Sequence, residues 1–423
     1  MPFYKFKLLL NFMLLFINTK KAMLKCAAKL TKRTKMKDFK QIAEKIKARS
    51  DWREPLAFSI ARVEQNDDGK SICASYAVLN YKSSFASAAV IINALIKNGA
   101  SFDFSASEQV LELDKNALSD ALSPFKSLFD EISKHANVRC IKAALDEIKA
   151  NKNAKFKAVF LFEDSAPKSV ESVYLKLYLL SQNFVAPREI NLDGAFKILP
   201  NLAWDERGKP YELEYLRQNE IELKMQGRYP NIAFIDKFPR FLSHIVPQSD
   251  ATRILDSAKV RLGAHLAGGT VVMAGASYIN FNAGTLGSAM VEGRISSAVR
   301  VDEGSDIGGG ASILGVLSGT NGNPISIGKR CLLGANSVTG VPLGDDCIVD
   351  AGVAVLEGTK VYISDENRQK LAKLNPSFNF KQEIYKAREL AGLNGMHFRA
   401  DSQSGQIICA LSARAIKLNE SLH

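Results

Sequence analysis

Apolar residues recur along the chain in three rhythms, and each predicts a different structure. From Met36 the stretch "MKDFKQIAEKIKARSDW" sets Phe39, Ile42 and Ile46 on one side of a helix. Alternating or continuous apolar runs predict strands at "LAFSIARVEQ" (56–65), "ICASYAVLNY" (72–81) and "FKAVFLFED" (156–164). Helices are predicted at "SFASAAVIINALIKNG" (84–99), "ALSDALSPFKSLFDEISKH" (117–135) and "SVESVYLKLYLLSQN" (169–183), the first ended by Gly99. Residues 36–249 therefore read as an α+β domain. It carries no P-loop and no dinucleotide fingerprint.

Beyond residue 250 the rhythm becomes six. Val260, Leu266 and Val272 keep step; so do Ile295, Val301, Ile307 and Ile313; then Ile327 with Leu333; then Leu343, Val349, Val355 and Val361. A period of six is the mark of a solenoid in which each unit supplies one short strand and one tight corner. An aliphatic residue at every sixth position then points into a narrow axis and stacks on its equivalent one turn away. Composition agrees, since 20 of the 28 glycines fall within 263–358, a segment with only two aromatics, Tyr278 and Phe281. Small residues suit corners whose dihedrals a branched side chain cannot adopt. The frame slips between Thr339 and Leu343 and breaks at "SGTNGNP" (318–324), a polar loop expected to project from the coil. The expected fold is an α+β N-terminal domain, then a left-handed parallel β-helix of hexapeptide repeats over 250–362, then a short C-terminal segment over 363–423. Coils of this kind cover their flat faces by association, so a homotrimer is expected.

The net charge of +12 suggests nucleic acid until it is divided along the chain. Residues 1–35 hold nine Lys or Arg and no Asp or Glu, which leaves +3 for the rest and removes most of the support for a nucleic-acid partner. That first segment, "KFKLLLNFMLLFINTKK" included, has an apolar run too short for a membrane span and no convincing cleavage site after it. It is expected to be a poorly ordered or untranslated extension. No stable membrane association is expected. Cys26, Cys73, Cys140, Cys331, Cys347 and Cys409 show no CxxC spacing and read as scattered thiols, which fits a cytoplasmic setting.

Candidate chemistry concentrates in "MVEGRISSAV" (290–299). Glu292 and Arg294 are two apart, so on a strand they would point the same way. The only His within the coil is His265, which reads as packed rather than as a base, and one His cannot supply the ligand triad of a metal hydratase. Glu292 is then the outstanding ionisable group among small residues. It could act as a general base, helped by burial that raises its pKa, or attack a thioester and carry the acyl group. Arg294 suits a dicarboxylate, which a guanidinium grips through two parallel hydrogen bonds. An ion pair between the two that merely braces the coil is the structural alternative.

The blocks "NFNAGTLGSAMVEGRIS" (280–296), "GSDIGGGASILGVLSG" (304–319), "ISIGKRCLLGAN" (325–336) and "LGDDCIVDAG" (343–352) resemble the tetrahydrodipicolinate N-succinyltransferase family, in its MVEGRIS branch, over roughly residues 240–410. The resemblance implies transfer of succinyl from succinyl-CoA, the cosubstrate, to the amine of ring-opened tetrahydrodipicolinate. This is the succinylase step of diaminopimelate and lysine biosynthesis. It implies a catalytic Glu292 and a backbone N–H of Gly315 for the oxyanion. Binding of substrate and succinyl-CoA then falls to Arg294, Gly309, Ser312, Ala335, Asp350, Ala351, Gly358, Lys386, Arg399, Ala400, Asp401 and Ser402, and the C-terminal residues close over the cosubstrate in sites between subunits. Asp350 stands where relatives have Glu, and the stretch 362–385 shifts the match at Lys386. Where relatives hold magnesium this chain has Ala258 and "MAGAS", so neither a metal site nor a tightly bound cofactor is expected. The rival reading is another hexapeptide acyl-CoA transferase, such as an acetyltransferase acting on a different amine or a sugar.

Overall fold

The computed structural model describes residues 21, 39–125, 135–316, 322–413 and 418. Apart from Lys21 the segment 1–35 lies outside the described residues, as do Cys26 and the loop tip 318–321. The chain divides into two compact units, Met1–Glu64 with Ala74–Asp164, and Gln65–Cys73 with Ser165–His423.

The first unit is an antiparallel sheet with helices packed on it. Strand Ala57–Gln65 pairs with Lys155–Leu161 from Ala57↔Leu161 to Val63↔Lys155, and Glu108–Glu112 flanks the latter strand on its other side. A helix over 39–47 carries the expected apolar side, and Ala43 and Ile46 are buried with Phe58, Ile91, Phe160 and Leu118 in one core. The predicted strand 72–81 is divided into Ser71–Tyr76 and the two-residue Asn80–Tyr81. Of the helix predicted over 117–135, residues 126–134 lie outside the described residues, and the described part ends early. Asp114 caps it by accepting from the Ala117 N–H, and it spans Lys115–Leu122 before a 3-10 turn. Pro124 explains the stop, because it has no backbone N–H to donate to the Asp120 carbonyl, although Ser123 itself keeps helical dihedrals. Helix Ala136–Ala150 was not anticipated, although Val138, Ile141 and Leu145 keep helical spacing on its buried side.

In the second unit, helix Val170–Ser181 starts at a capping box in which Ser169 and Ser172 satisfy each other's backbone N–H. A small sheet follows, with Leu202–Asp205 antiparallel to Pro210–Glu212 and Ile232–Asp236, and the buried Trp204 donates its Nε1–H to the Asp236 carbonyl at 2.9 Å.

The coil has three faces of parallel strands. The first stacks His265–Leu266, Gly284–Thr285, Arg300–Val301 and Ser326–Ile327. The second stacks Arg253–Ile254, Thr270–Val272, Ala289–Val291, Ser305–Ile307, Leu332–Leu333 and Ile348–Val349. The third stacks Tyr278–Ile279, Arg294–Ile295, Ser312–Ile313, Val338–Thr339 and Ala354–Val355. Every hexad residue from Val260 to Val361 named above is no more than 4% exposed, and Ile279, Thr285, Val291 and Thr339 fill the gaps in the series. The C-terminal segment extends the second face, because Met396–Ala400 adds a parallel strand through Ile348↔His397 and Val349↔Phe398. Ile407–Leu411 pairs on its far side and so covers an otherwise open strand edge. Among the described residues no helix is long and apolar enough to cross a membrane.

Candidate active site

Glu292 and Arg294 do not share a strand. Ala289–Val291 ends one residue before Glu292, and Arg294 opens the next strand, so a corner of the coil falls between them and turns them onto different faces. That corner is the short one. It consists of Glu292 and Gly293, where the coil before it uses 273–277 and the coil after it 308–311. Such tight passage requires glycine, since a Cβ at Gly293 would meet the Ala311 carbonyl oxygen at 2.4 Å.

Glu292 is half-buried, its N–H donates to the Ile307 carbonyl at 2.8 Å, and its side chain forms no ion pair among the described residues. Bracing by Arg294 therefore does not occur. The carboxylate lies over the following corner, its Oε2 3.6 Å from where a Cβ on Gly309 would sit. Arg294 is exposed and donates from Nε and Nη2 to Ser312 Oγ, one coil above, at 3.1 and 2.7 Å. One edge of the guanidinium is thus fixed by a neutral hydroxyl, and its charge stays available for an anion.

Register shows how the remaining candidates are arranged. The position after each inward residue of the second face runs up the coil as Glu292, Gly308, Gly334, Asp350 and Arg399, and the next as Gly293, Gly309, Ala335, Ala351 and Ala400. At roughly 4.8 Å per strand, Glu292 and Asp350 stand about 14 Å apart along a track whose intervening residues carry no large side chain. The third face presents Arg294, Ser312, Val338 and Ala354 outward, alternating with buried Ile295, Ile313, Thr339 and Val355. Gly315 and Gly358 lie past its other edge, where a Cβ on Gly315 would meet Ser296 Cβ at 3.0 Å and one on Gly358 would meet nothing. Lys386 pairs with Lys360 and is exposed beside that edge. Asp401 and Ser402 belong to the turn between Met396–Ala400 and Ile407–Leu411. There the Ser404 hydroxyl and backbone N–H groups hold the Asp401 carboxyl below its ordinary range. One face of the coil and its two edges thus gather most of these residues, while Asp401 and Ser402 sit on the hairpin beyond them.

Three observations adjust the picture. His265 is 8% exposed, its Nδ1–H donates to the Thr285 carbonyl at 2.8 Å, and burial lowers its pKa, so it packs the first face. His397, which drew no attention in the sequence, donates from Nε2 to Asp350 Oδ1 at 2.7 Å. A cavity of about 580 Å³ lies elsewhere, between Leu216, Tyr229 and Ile235, and no candidate residue lines it. Among the described residues no cluster of His, Cys, Asp or Glu is arranged to hold a metal, and all five described cysteines are free thiols.

A three-faced parallel coil with an aliphatic residue turned inward at every sixth position, a carboxylate at its one truncated corner and a guanidinium on the adjoining face, defines a hexapeptide-repeat protein. Comparison with known proteins gives the family. Models described as "Tetrahydrodipicolinate N-succinyltransferase N-terminal", "Tetrahydrodipicolinate N-succinyltransferase middle" and "Hexapeptide repeat of succinyl-transferase" match residues 37–197, 199–240 and 324–357. A 2,3,4,5-tetrahydropyridine-2,6-dicarboxylate N-succinyltransferase of Campylobacter jejuni is 57% identical over 91% of this chain and 98% of its own. The protein of that name from Helicobacter pylori is 47% identical over 91% and 99%. A crystal structure of a Campylobacter jejuni protein, titled as a 2,3,4,5-tetrahydropyridine-2-carboxylate N-succinyltransferase, superposes with a TM-score of 0.85 at 56% identity, covering 90% of this chain and 98% of that one. The chain belongs to the tetrahydrodipicolinate N-succinyltransferase family. None of these relatives bears the name of an acetyltransferase.

Proposed function

We propose that this enzyme transfers succinyl from succinyl-CoA to the amine of ring-opened tetrahydrodipicolinate, releasing CoA and N-succinyl-2-amino-6-oxopimelate, in the succinylase branch of diaminopimelate and lysine biosynthesis. The observation that carries the reading is the Glu292 carboxylate, without an ion pair among the described residues, over Gly309 and one corner away from a guanidinium held by Ser312.

In this reading the acceptor's carboxylate docks on Arg294 and Ser312. Glu292 takes the proton as the amine nitrogen attacks the thioester carbon. The backbone N–H of Gly315 meets the developing oxyanion. Collapse breaks the carbon–sulfur bond, and the departing thiolate recovers the proton from Glu292. The track past Ala335 to Asp350 and Ala351 receives the extended arm of the CoA, with Gly358 and Lys386 at the far edge of the face and Arg399–Ser402 closing over it. The place where magnesium would bind, Ala258 and 273–277, has no carboxylate, so no step runs through a metal.

The reading also takes the enzyme as a cytoplasmic homotrimer with sites between subunits and no nucleic-acid or membrane partner, and 36–249, 250–362 and 363–423 as its working divisions. The test is release of free thiol from succinyl-CoA with and without tetrahydrodipicolinate. Acceptor-dependent turnover that falls at least about a hundredfold in Glu292→Ala supports the assignment. One equivalent of thiol per site without acceptor makes Glu292 an acyl carrier instead, and an inactive wild type defeats the proposed reaction.

A further inference from the structure

Asp350 stands in the same register row as Glu292, and both oxygens of its carboxylate face the strand Met396–Ala400. Oδ1 accepts the Nε2–H of His397 at 2.7 Å, and Oδ2 lies 3.5 Å from Nε of Arg399. Phe398 between them is buried and its carbonyl accepts the Asp350 N–H at 3.0 Å, so His397 and Arg399 both project outward and flank the one carboxylate. The two side chains differ in exposure. That of His397 is 21% exposed, against 53% for Arg399.

Arg399 approaches Asp350 by its Nε edge, and its two terminal nitrogens have no protein partner among the described residues. A guanidinium placed this way turns two terminal donors outward for the oxygens of an anion, while Asp350 offsets part of its charge. Left unanchored, so long a side chain would lose rotamer freedom on binding. The carboxylate that anchors it is itself fixed by an imidazole with only two rotatable bonds. Sequence spacing alone did not expose this triad, because Asp350 and His397 are 47 positions apart and meet only through the added strand.

We infer that His397 is a positioning residue for the acyl-donor subsite: through Asp350 it holds Arg399 with its terminal nitrogens turned outward, to receive an anionic group of the CoA moiety. This rests on the donor assignment proposed above. His397 lies beside Asp350, three coil rows from Glu292, so its expected effect is on donor affinity and not on the chemical step.

The test measures binding of free coenzyme A by calorimetry, and in parallel KM and kcat for succinyl-CoA and for the acceptor, in wild type, His397→Ala, His397→Gln, Asp350→Asn and Asp350→Asn/His397→Ala. The expected result is CoA affinity weakened and succinyl-CoA KM raised about tenfold in His397→Ala, with kcat changed less than about twofold and acceptor KM unmoved. Gln, whose amide N–H can reach the same oxygen, restores most of the loss. Asp350→Asn alone and the double variant bind CoA equally weakly, as expected for a His397 that acts only through Asp350, and a further loss in the double variant overturns the inference. Unchanged CoA affinity in His397→Ala overturns the inference. So does a loss that appears in kcat and in both KM values together with a lowered melting temperature and is not rescued by Gln. A wild type that binds CoA in a His397-dependent manner but releases no thiol separates failure of the proposed reaction from failure of this inference.

Discussion

At Glu292 and the glycines around it, similar residues do different jobs. A methyl on Gly309 would stand in ordinary contact with the Glu292 carboxylate, 3.6 Å from Oε2, whereas one on Gly308 would be driven to 2.6 Å from the Leu333 carbonyl oxygen. Gly309→Ala is therefore expected to fold normally and lose about tenfold in kcat/KM by filling space beside the carboxylate that the acceptor would occupy. Gly308→Ala is expected to lose about 1–3 kcal/mol of stability through backbone overpacking. Denaturant titration and steady-state thiol release on both variants check the contrast, and equal stability would refute it. The motif "MVEGRIS" made Glu292 and Arg294 visible as a pair. What could be read was their identity, and what could not was their geometry, since a strand of unbroken period two would have set them side by side.

At the scale of the element, the coil owes its strength to inward aliphatic ladders and its chemistry to one irregular corner. Ile307 is fully buried between Val291 and Leu333, so Ile307→Ala is expected to cost about 2–5 kcal/mol, read from the midpoint of chemical unfolding. The two-residue corner makes a different prediction. Adding Gly-Ser after Gly293 lengthens it to match 308–311; the inward ladder survives, because Val291 and Ile295 keep their partners, but Glu292 is moved off Gly309. Turnover should drop about a hundredfold while the melting temperature stays close to that of the parent. Retained activity would mean that the shortness of the corner is immaterial to catalysis. The slip in the hexads was legible at Thr339–Leu343, but the equivalent slip at Val291–Ile295 was passed over, although it marks the candidate site.

The whole molecule should weaken in acid, and His244 is one reason. The residue is half-buried, with Nδ1 2.8 Å from the Tyr178 hydroxyl and a buried Nε2 that has no partner among the described residues, and burial of the ring lowers its pKa from 6.5 to about 4. Between these values the unfolded chain binds a proton that the folded protein refuses. The stabilisation is therefore complete above about pH 6.5 and lost as pH falls toward 4, on the order of 3 kcal/mol. Unfolding free energies from pH 7.5 to 4.5 should slope downward in the wild type and less steeply in His244→Asn. Identical slopes would remove His244 from the account. Sedimentation equilibrium, for its part, is expected to give three times the chain mass of 46.4 kDa, and a monomeric result would count against sites between subunits.

Sequence by itself determined the coil, because a repeat of six is a local rule obeyed by each unit, and it singled out Glu292 because one acid among Gly, Ala, Ser and Val is conspicuous without any neighbours. It also determined the packed His265 and the free thiols of the five described cysteines. Tertiary structure alone decided which residues meet. Stacking of coils sets Ser312 against the Arg294 guanidinium and Gly309 against the Glu292 carboxylate, and the returning C-terminal strand brings His397 and Arg399 to Asp350. These contacts join positions 17 to 49 residues apart, and register between strands, which no local pattern encodes, sets them.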